Sequence, residues 1–257
     1  MKSIISITIL ALLLVCHMTY SQNLNSIINN KQTIDTTKVR SFDPEYFILG
    51  TLSDYMGRFR YVDRKVQVDR YDPYEKPLVN YLTGYIKKEL NIKVDTVFEK
   101  NDFSKMFSEQ LSKKLNSFYG QKDELVKTKF ETDHQVNSFL AGVYYRYGEK
   151  LDSSIYKIQL ANSPKHQNCY ELLKRAGCEN ILYQYLRNLP AQFILYFEPT
   201  DDLKKYLDLI EPEKVSLKES RDNYWDKYLQ WTKGEMSNQL KKTQSEEAAK
   251  VKKAFKR

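Results

Sequence analysis

The sequence predicts an α+β protein: an N-terminal helical layer packed with a small mixed three-stranded sheet carrying β-α-β-β-α order, plus a long C-terminal helix. Three observations predict this class. Apolar residues recur at helical spacing in three segments between residues 78 and 147, alternate as in a strand after Lys150, and return to helical spacing after Thr200. The 257 residues are 41% hydrophobic and 29% charged, which is typical of a chain that folds around a core.

Residues 1–21 have the pattern of a signal peptide. Lys2 precedes an uncharged apolar run, and the small residues Thr19 and Ser21 stand directly before a cleavage site at Gln22. The run is shorter than the roughly 18 apolar residues that a membrane anchor needs. We therefore expect export, to the periplasm or out of the cell, after cleavage near Ser21/Gln22, with no transmembrane segment in the mature chain. Lipid modification of Cys16 is an open alternative.

The remaining chain is predicted to contain one domain. Residues 22–43 are rich in Asn, Gln, Thr and Ser and are expected to be a flexible lead-in. Residues 44–232 form the α+β domain, mainly helical over 44–150 and mixed sheet and helix over 151–211. Residues 233–257 are predicted to be a basic polar tail.

The helical part begins at Pro44, with a first helix that Gly57 would end. Alternation around Val66 and Val68 indicates an edge strand. Three amphipathic helices follow, and Thr132 and Gln135 form a capping box at the start of the third. Their apolar stripes cover residues 78–90, 103–118 and 136–147.

In the mixed part, residues 156–160 alternate as a strand, and Ser163-Pro164 begins a helix. Residues 181–186 form a second strand and residues 193–197 a third. The β-α-β order favours a parallel crossover between the first two strands, and the short link at 187–190 favours an antiparallel third strand. Thr200 begins a helix that Pro212 would end, and a last helix surrounds Trp225. No internal repeat is visible.

The net charge of +8 is unevenly distributed. Residues 233–257 hold eight Lys or Arg and three Glu, so the preceding body is close to neutral. A near-neutral body with a basic tail indicates nucleic-acid binding less strongly than a basic face does. We therefore predict no nucleic-acid partner, while docking of the tail on an anionic surface stays an alternative.

The mature chain has two cysteines, Cys169 and Cys178. If residues 167–176 are helical, their α-carbons are about 13 Å apart, whereas a disulfide needs less than about 7 Å. Two free, buried thiols are the expectation, with a disulfide as the alternative.

One segment combines residues that could carry chemistry. His166 and Cys169 lie three residues apart near a helix start, where a thiol pKa falls and nucleophilicity rises. They are the candidate catalytic pair. The free N–H groups of the same helix start, together with Ser163, Lys165 and His166, are the candidate anion-binding site.

The sequence contains no CxxC or HExxH pattern, no glycine-rich phosphate loop and no G-x-S-x-G elbow. We therefore predict neither a metal nor a cofactor. The functional hypothesis is an exported bacterial envelope protein with a non-enzymatic binding or structural role and an envelope protein or glycan as partner. The alternative is an envelope hydrolase or transferase with its site near His166 and Cys169.

Overall fold

The structure is a computed structural model that describes residues 41–60, 63–100 and 103–256. The signal peptide and most of the lead-in lie outside the described residues. The described helices are α1 (Pro44–Thr51), α2 (Lys76–Leu90), α3 (Glu109–Asn116), α4 (Asp133–Tyr147), α5 (Lys165–Arg175), α6 (Asp201–Tyr228) and α7 (Glu235–Phe255). The strands are β1 (Gln67–Tyr71), β2 (Asp95–Phe98), β3 (Ser104–Phe107), β4 (Gly148–Lys150), β5 (Tyr156–Ala161), β6 (Ile181–Leu186) and β7 (Gln192–Phe197).

The strands form two antiparallel sheets, ordered β1-β3-β2 and β4-β5-β7-β6. The two halves of the chain share one order of elements. Each half begins with a helix (α1 or α4), which is followed by the first strand or strands of its sheet and by a second helix (α2 or α5). Two further strands of the same sheet and a third helix (α3 or α6) complete the half. The fold therefore contains a repeat of topology that the sequence analysis did not find.

The first helices of the two halves pack directly against each other through glycines. A Cβ atom on Gly142 would clash with the carbonyl oxygen of Phe47 and lie 3.1 Å from Cα of Gly50. A Cβ atom on Gly50 would in turn clash with the Phe139 carbonyl oxygen and lie 2.8 Å from the backbone nitrogen of Val143. Only glycine at both positions allows α1 and α4 to approach this closely.

The predicted α+β class and the β-α-β-β-α order, here β5-α5-β6-β7-α6, are confirmed. The second sheet differs in detail, because it gains β4 as a fourth strand. It also contains no parallel pair, since β7 lies between β5 and β6 and is antiparallel to both. The crossover helix α5 thus joins two strands that run in the same direction without pairing.

Most of the first sheet was not predicted from the sequence. The stripe over residues 103–118 predicted one helix, but Ser104–Phe107 forms β3, and α3 begins only after Ser108, whose hydroxyl accepts the N–H of Leu111. In β3 the buried side chains of Ser104 and Met106 alternate with half-buried ones, which is the period of a strand. Phe103, Met106 and Phe107 match helical spacing by coincidence.

The C-terminal region is helical almost to its end. Helix α6 continues through Pro212, which was expected to end it, because Leu217 extends the buried stripe of Leu207 and Ile210 beyond the proline. The basic segment forms α7, whose Ala248 and Val251 are buried. No helix in the described ranges is long and apolar enough to cross a membrane.

Candidate functional site: a cationic groove between the sheets

A groove of about 870 Å³ lies where α1 and α4 end, between the two sheets and α6. We call it the groove. Eight of its lining residues are cationic: Arg70, Lys105, Arg146, Lys150, Lys157, Lys214, Lys218 and Arg221. Five are acidic: Asp72, Glu75, Glu99, Glu149 and Glu211. Positive charge therefore predominates in the groove although the body as a whole is close to neutral.

The first sheet presents two of these cations side by side. Arg70 on β1 and Lys105 on β3 are cross-strand partners, so their side chains leave the same face of the sheet. Arg70 is exposed, and its guanidinium lies 5.2 Å from the centre of the Tyr55 ring. Lys105 forms an ion pair of 2.5 Å with Glu99.

Helix α6 supplies three cations from one of its faces. Lys214, Lys218 and Arg221 stand at positions i, i+4 and i+7, which places them on the same side of the helix. From the second sheet, Lys150 ends β4 and Lys157 lies on β5. The cations thus come from both sheets and from α6.

Arg146 forms the buried floor of the groove. Its guanidinium donates two hydrogen bonds of 2.7 Å to the Glu75 carboxylate, one of 2.6 Å to Asp69 and one of 2.8 Å to the Thr51 carbonyl. It also lies 4.9 Å from the centre of the Tyr71 ring. Burial opposes the charge, but the Glu75 carboxylate outweighs it and holds the pKa of Arg146 above its ordinary value. Arg146 therefore joins α1, β1 and α4 structurally.

The ends of α1 and α4 are each capped by a lysine from a distant helix. Lys165 donates from Nζ to the carbonyls of Leu49 and Gly50, at 3.3 and 3.1 Å, and lies 3.3 Å from Asp54. Lys214 donates to the carbonyls at residues 144 and 145, at 2.9 and 3.1 Å. A helix C-terminus exposes unpaired carbonyls and negative potential, so both lysines stabilise helix ends.

Burial lowers the pKa of Lys214 to about 7 from its ordinary value of 10.5. At pH values between these two pKa values, the unfolded chain binds a proton at Lys214 that the folded chain does not. The unfolding free energy therefore rises as the pH increases above about 7, by up to about 1.4 kcal/mol per pH unit. We expect Lys214→Met to remove this dependence. Urea unfolding of both proteins at several pH values between about 6 and 9 measures how the unfolding free energy depends on pH.

Lys227→Met is the matched control, because Lys227 is an exposed lysine of the same helix. Its unfolding free energy should follow that of the unmodified chain at every pH. Parallel curves for Lys214→Met and the unmodified chain would contradict the lowered pKa of Lys214.

The residues of the predicted site lie outside the groove. The Ser163 hydroxyl is buried and accepts the N–H of Lys165 at 3.3 Å, while the Lys165 ammonium caps α1. The His166 ring stacks on Phe193 with centroids 3.7 Å apart, and its Nδ1 lies 3.1 Å from the Tyr183 hydroxyl.

Burial lowers the pKa of His166, and burial raises that of the Cys169 thiol to about 12, above its ordinary value. These shifts favour a neutral imidazole and a neutral thiol at pH 7. Both Cys169 and Cys178 are free and buried, as the helix geometry predicted. The catalytic and anion-binding roles of Ser163, Lys165, His166 and Cys169 stay predictions. Within the described ranges, no group of three or more His, Cys, Asp or Glu could hold a metal ion.

Sequence reasoning missed the groove because its residues are scattered from Arg70 to Arg221 over both halves of the chain. One local signal was present: the i, i+4, i+7 spacing of Lys214, Lys218 and Arg221. A helix that ended at Pro212 would not have contained these three residues, whereas α6 continues through the proline to Tyr228.

The sequence matches no protein-family model and no curated protein. The fold is similar to several solved structures. The homing endonuclease I-DmoI in complex with DNA and calcium has a TM-score of 0.45 and 16% identity, over 68% of this chain and 96% of that one. The N-terminal LAGLIDADG domain of DUF199/WhiA has a TM-score of 0.42 and 17% identity, over 68% and 84%. Full-length DUF199/WhiA from Thermatoga maritima has a TM-score of 0.42 and 16% identity, over 70% and 62%.

These neighbours contradict the functional predictions made from the sequence. The neighbours are named as a homing endonuclease and as WhiA, and one of these structures is a complex with DNA. The predictions of an envelope binding or structural protein, of periplasmic or secreted placement and of no nucleic-acid partner stand against these neighbours and are not retained, and the alternative of an envelope hydrolase or transferase has no support. Export was inferred from Met1–Ser21 alone, which lies outside the described residues. The prediction of no nucleic-acid partner rested on the net charge of long segments of the chain. Such a net charge does not show that basic residues distant in sequence come together in one groove.

Proposed function

We propose that the groove binds single-stranded nucleic acid, with phosphates held by its cations and bases stacked on its tyrosines. The observation that carries the proposal is that basic residues outnumber acidic ones, eight to five, in one groove that four tyrosines also line. Cationic grooves with aromatic side chains suit single strands, because the cations follow the backbone and every base has a face that can stack.

The exposure of each side chain identifies which cations a ligand can reach. Arg146 is neutralised by its two carboxylates, and Lys157 lies 2.7 Å from Glu149. The exposed or half-buried cations at the groove wall are Arg70, Lys150, Lys218 and Arg221. Arg221 also lies 3.4 Å from the Asp222 carboxylate. The four cations come from β1, β4 and α6, so they surround the groove and can contact successive phosphates.

The tyrosines supply stacking surfaces at the same place. Tyr55, Tyr74 and Tyr147 are half-buried and line the groove, while Tyr71 is buried in its wall. The guanidinium of Arg70 lies over Tyr55, so a phosphate cation and an aromatic face are adjacent. A volume of about 870 Å³ is near the top of the range of ligand pockets, about 300–1,000 Å³, and suits a few stacked nucleotides.

The test measures fluorescence anisotropy of a labelled single-stranded oligonucleotide. The double variant Arg70→Glu/Lys218→Glu should weaken binding by about tenfold or more, since each reversal removes a cation from a phosphate and adds repulsion. Lys87→Glu/Lys113→Glu is the control, because it makes the same charge change at exposed sites outside the groove. Equal effects in both variants would contradict binding in the groove.

A second comparison separates nucleic acid from polyanions in general. Tyr55→Leu should weaken binding of the oligonucleotide by about fivefold or more, because stacking contributes about 1–3 kcal/mol per base. It should leave binding of heparin unchanged, since heparin has no bases. Equal sensitivity of both ligands to this substitution would contradict base stacking.

A further inference from the structure

The second sheet has an outer face that continues the groove. Along β5 the side chains of Tyr156, Ile158 and Leu160 are buried, so Lys157 and Gln159 point to the opposite, outer face. Lys157, Gln159 and Gln192 on this face line the groove. The groove wall and the outer face are therefore one surface.

Helix α7 covers the rest of that face. Its Ala248 and Val251 are buried against a small apolar cluster that is separate from the main core. The sheet and the turn before β5 supply the other members of the cluster: Leu151, Ile155, Leu182, Leu186, Ile194 and Tyr196. Because α7 buries only two residues there, and Phe255 in part, its apolar contact is limited.

Much of the contact made by α7 is polar. Glu247 lies 3.1 Å from Nζ of Lys157 and accepts a hydrogen bond of 2.5 Å from the Tyr196 hydroxyl. Lys252 lies 2.5 Å from Asp152 at the edge of the sheet. The Lys252–Asp152 pair is partly exposed, and such pairs stabilise weakly and are screened by salt. This pair therefore contributes little to holding α7 on the sheet.

Glu247 is one of the two carboxylates that pair with the Lys157 ammonium. It reaches Lys157 from α7, on the surface that is continuous with the groove. If α7 left, Lys157 would lose one of its two carboxylate partners, and Lys157, Gln159 and Tyr196 would extend the groove along β5 and β7. The helix thus covers a surface that is continuous with the groove.

We propose that α7 is a displaceable cover and that the outer face beneath it is a second part of the nucleic-acid binding surface, closed while α7 is bound. This inference rests on the proposed function of the groove. Because the docked form still binds through the groove, release of α7 tightens the apparent affinity by at most the reciprocal of the open fraction, about tenfold for one open molecule in ten.

Val251→Asp in the full chain tests the inference, because it places a carboxylate in the apolar cluster under α7. Amide hydrogen exchange should show reduced protection in α7 while α4 and β5 stay protected, and the oligonucleotide should bind more tightly, by up to about tenfold. The added negative charge would weaken binding if α7 stayed docked, so tighter binding requires release. Ser245→Asp adds the same charge at an exposed position of α7 and is the control.

Lys252→Glu provides a second variant. It replaces the ion pair with Asp152 by repulsion at the surface, so the main core is left intact. If α7 is released but the affinity for the oligonucleotide does not change, α7 does not cover a binding surface, whereas the groove proposal is unaffected. Continued protection of α7 in both variants would overturn its displacement. Failure of the unmodified chain to bind would overturn the groove proposal itself, and this inference with it.

Discussion

Gly142→Ala is expected to destabilise the folded chain by about 3 kcal/mol or more, the upper part of the range for overpacking. The new methyl group would meet the carbonyl oxygen of Phe47, which is backbone and cannot rotate away. Helices α1 and α4 would have to separate, although both carry much of the main core. Thermal unfolding followed by circular dichroism should show a Tm lower by about 6–12 °C, at about 2–4 °C per kcal/mol.

Gly84→Ala is the matched control. Gly84 lies inside α2, and a Cβ atom there would meet no heavy atom within 4 Å. The same substitution should therefore stabilise the chain by about 0.5–1 kcal/mol, because alanine favours a helix interior. Equal stability of the two alanine variants would contradict the close approach of α1 and α4.

Arg146→Met is expected to cost about 3–5 kcal/mol, because it leaves the carboxylates of Asp69 and Glu75 buried without their cation. The side chain of Arg146 is only 4% exposed, so water cannot replace its hydrogen bonds. Urea unfolding should show a lower midpoint with little change in slope.

Two further variants identify the cause of the destabilisation. Arg187→Met removes an exposed arginine and should change stability by less than about 0.5 kcal/mol. The triple variant Asp69→Asn/Glu75→Gln/Arg146→Met removes the unpaired charges and should recover part of the stability. A triple variant no more stable than Arg146→Met would show that packing, rather than charge, holds this site together.

Local patterns predicted the helices well. Helix α4 begins where the sequence placed it, because Thr132 and Gln135 cap it through hydrogen bonds three residues apart. The first sheet was missed because β3 depends on pairing with β1, more than thirty residues away, and its apolar spacing also fits a helix. The packing of helix α7 was not predicted because Ala248 and Val251 are its only buried residues among those the structure describes, and they lie in a basic segment.

The groove could not be predicted for a similar reason. Lys165 was a candidate anion-binding residue because it stands at a helix start, yet its ammonium reaches the carbonyls of α1, over 110 residues earlier. Arg146 lies in the last turn of α4, where the sequence indicates only an ordinary cation at a helix end. Lys165 becomes a helix cap, and Arg146 the floor of the groove, only because the two halves of the chain pack together.

The salt dependence of oligonucleotide binding tests the central claim most directly, because it reports how many phosphates the protein neutralises. If Arg70, Lys150, Lys218 and Arg221 each bind a phosphate, the logarithm of the association constant should fall with the logarithm of salt concentration with a slope of about −3. In Arg70→Glu/Lys218→Glu the slope should be shallower by about 1.4, or about 0.7 for each phosphate that is no longer neutralised. A slope near zero, or one that is the same in both proteins, would contradict a groove that holds nucleic acid by its phosphates.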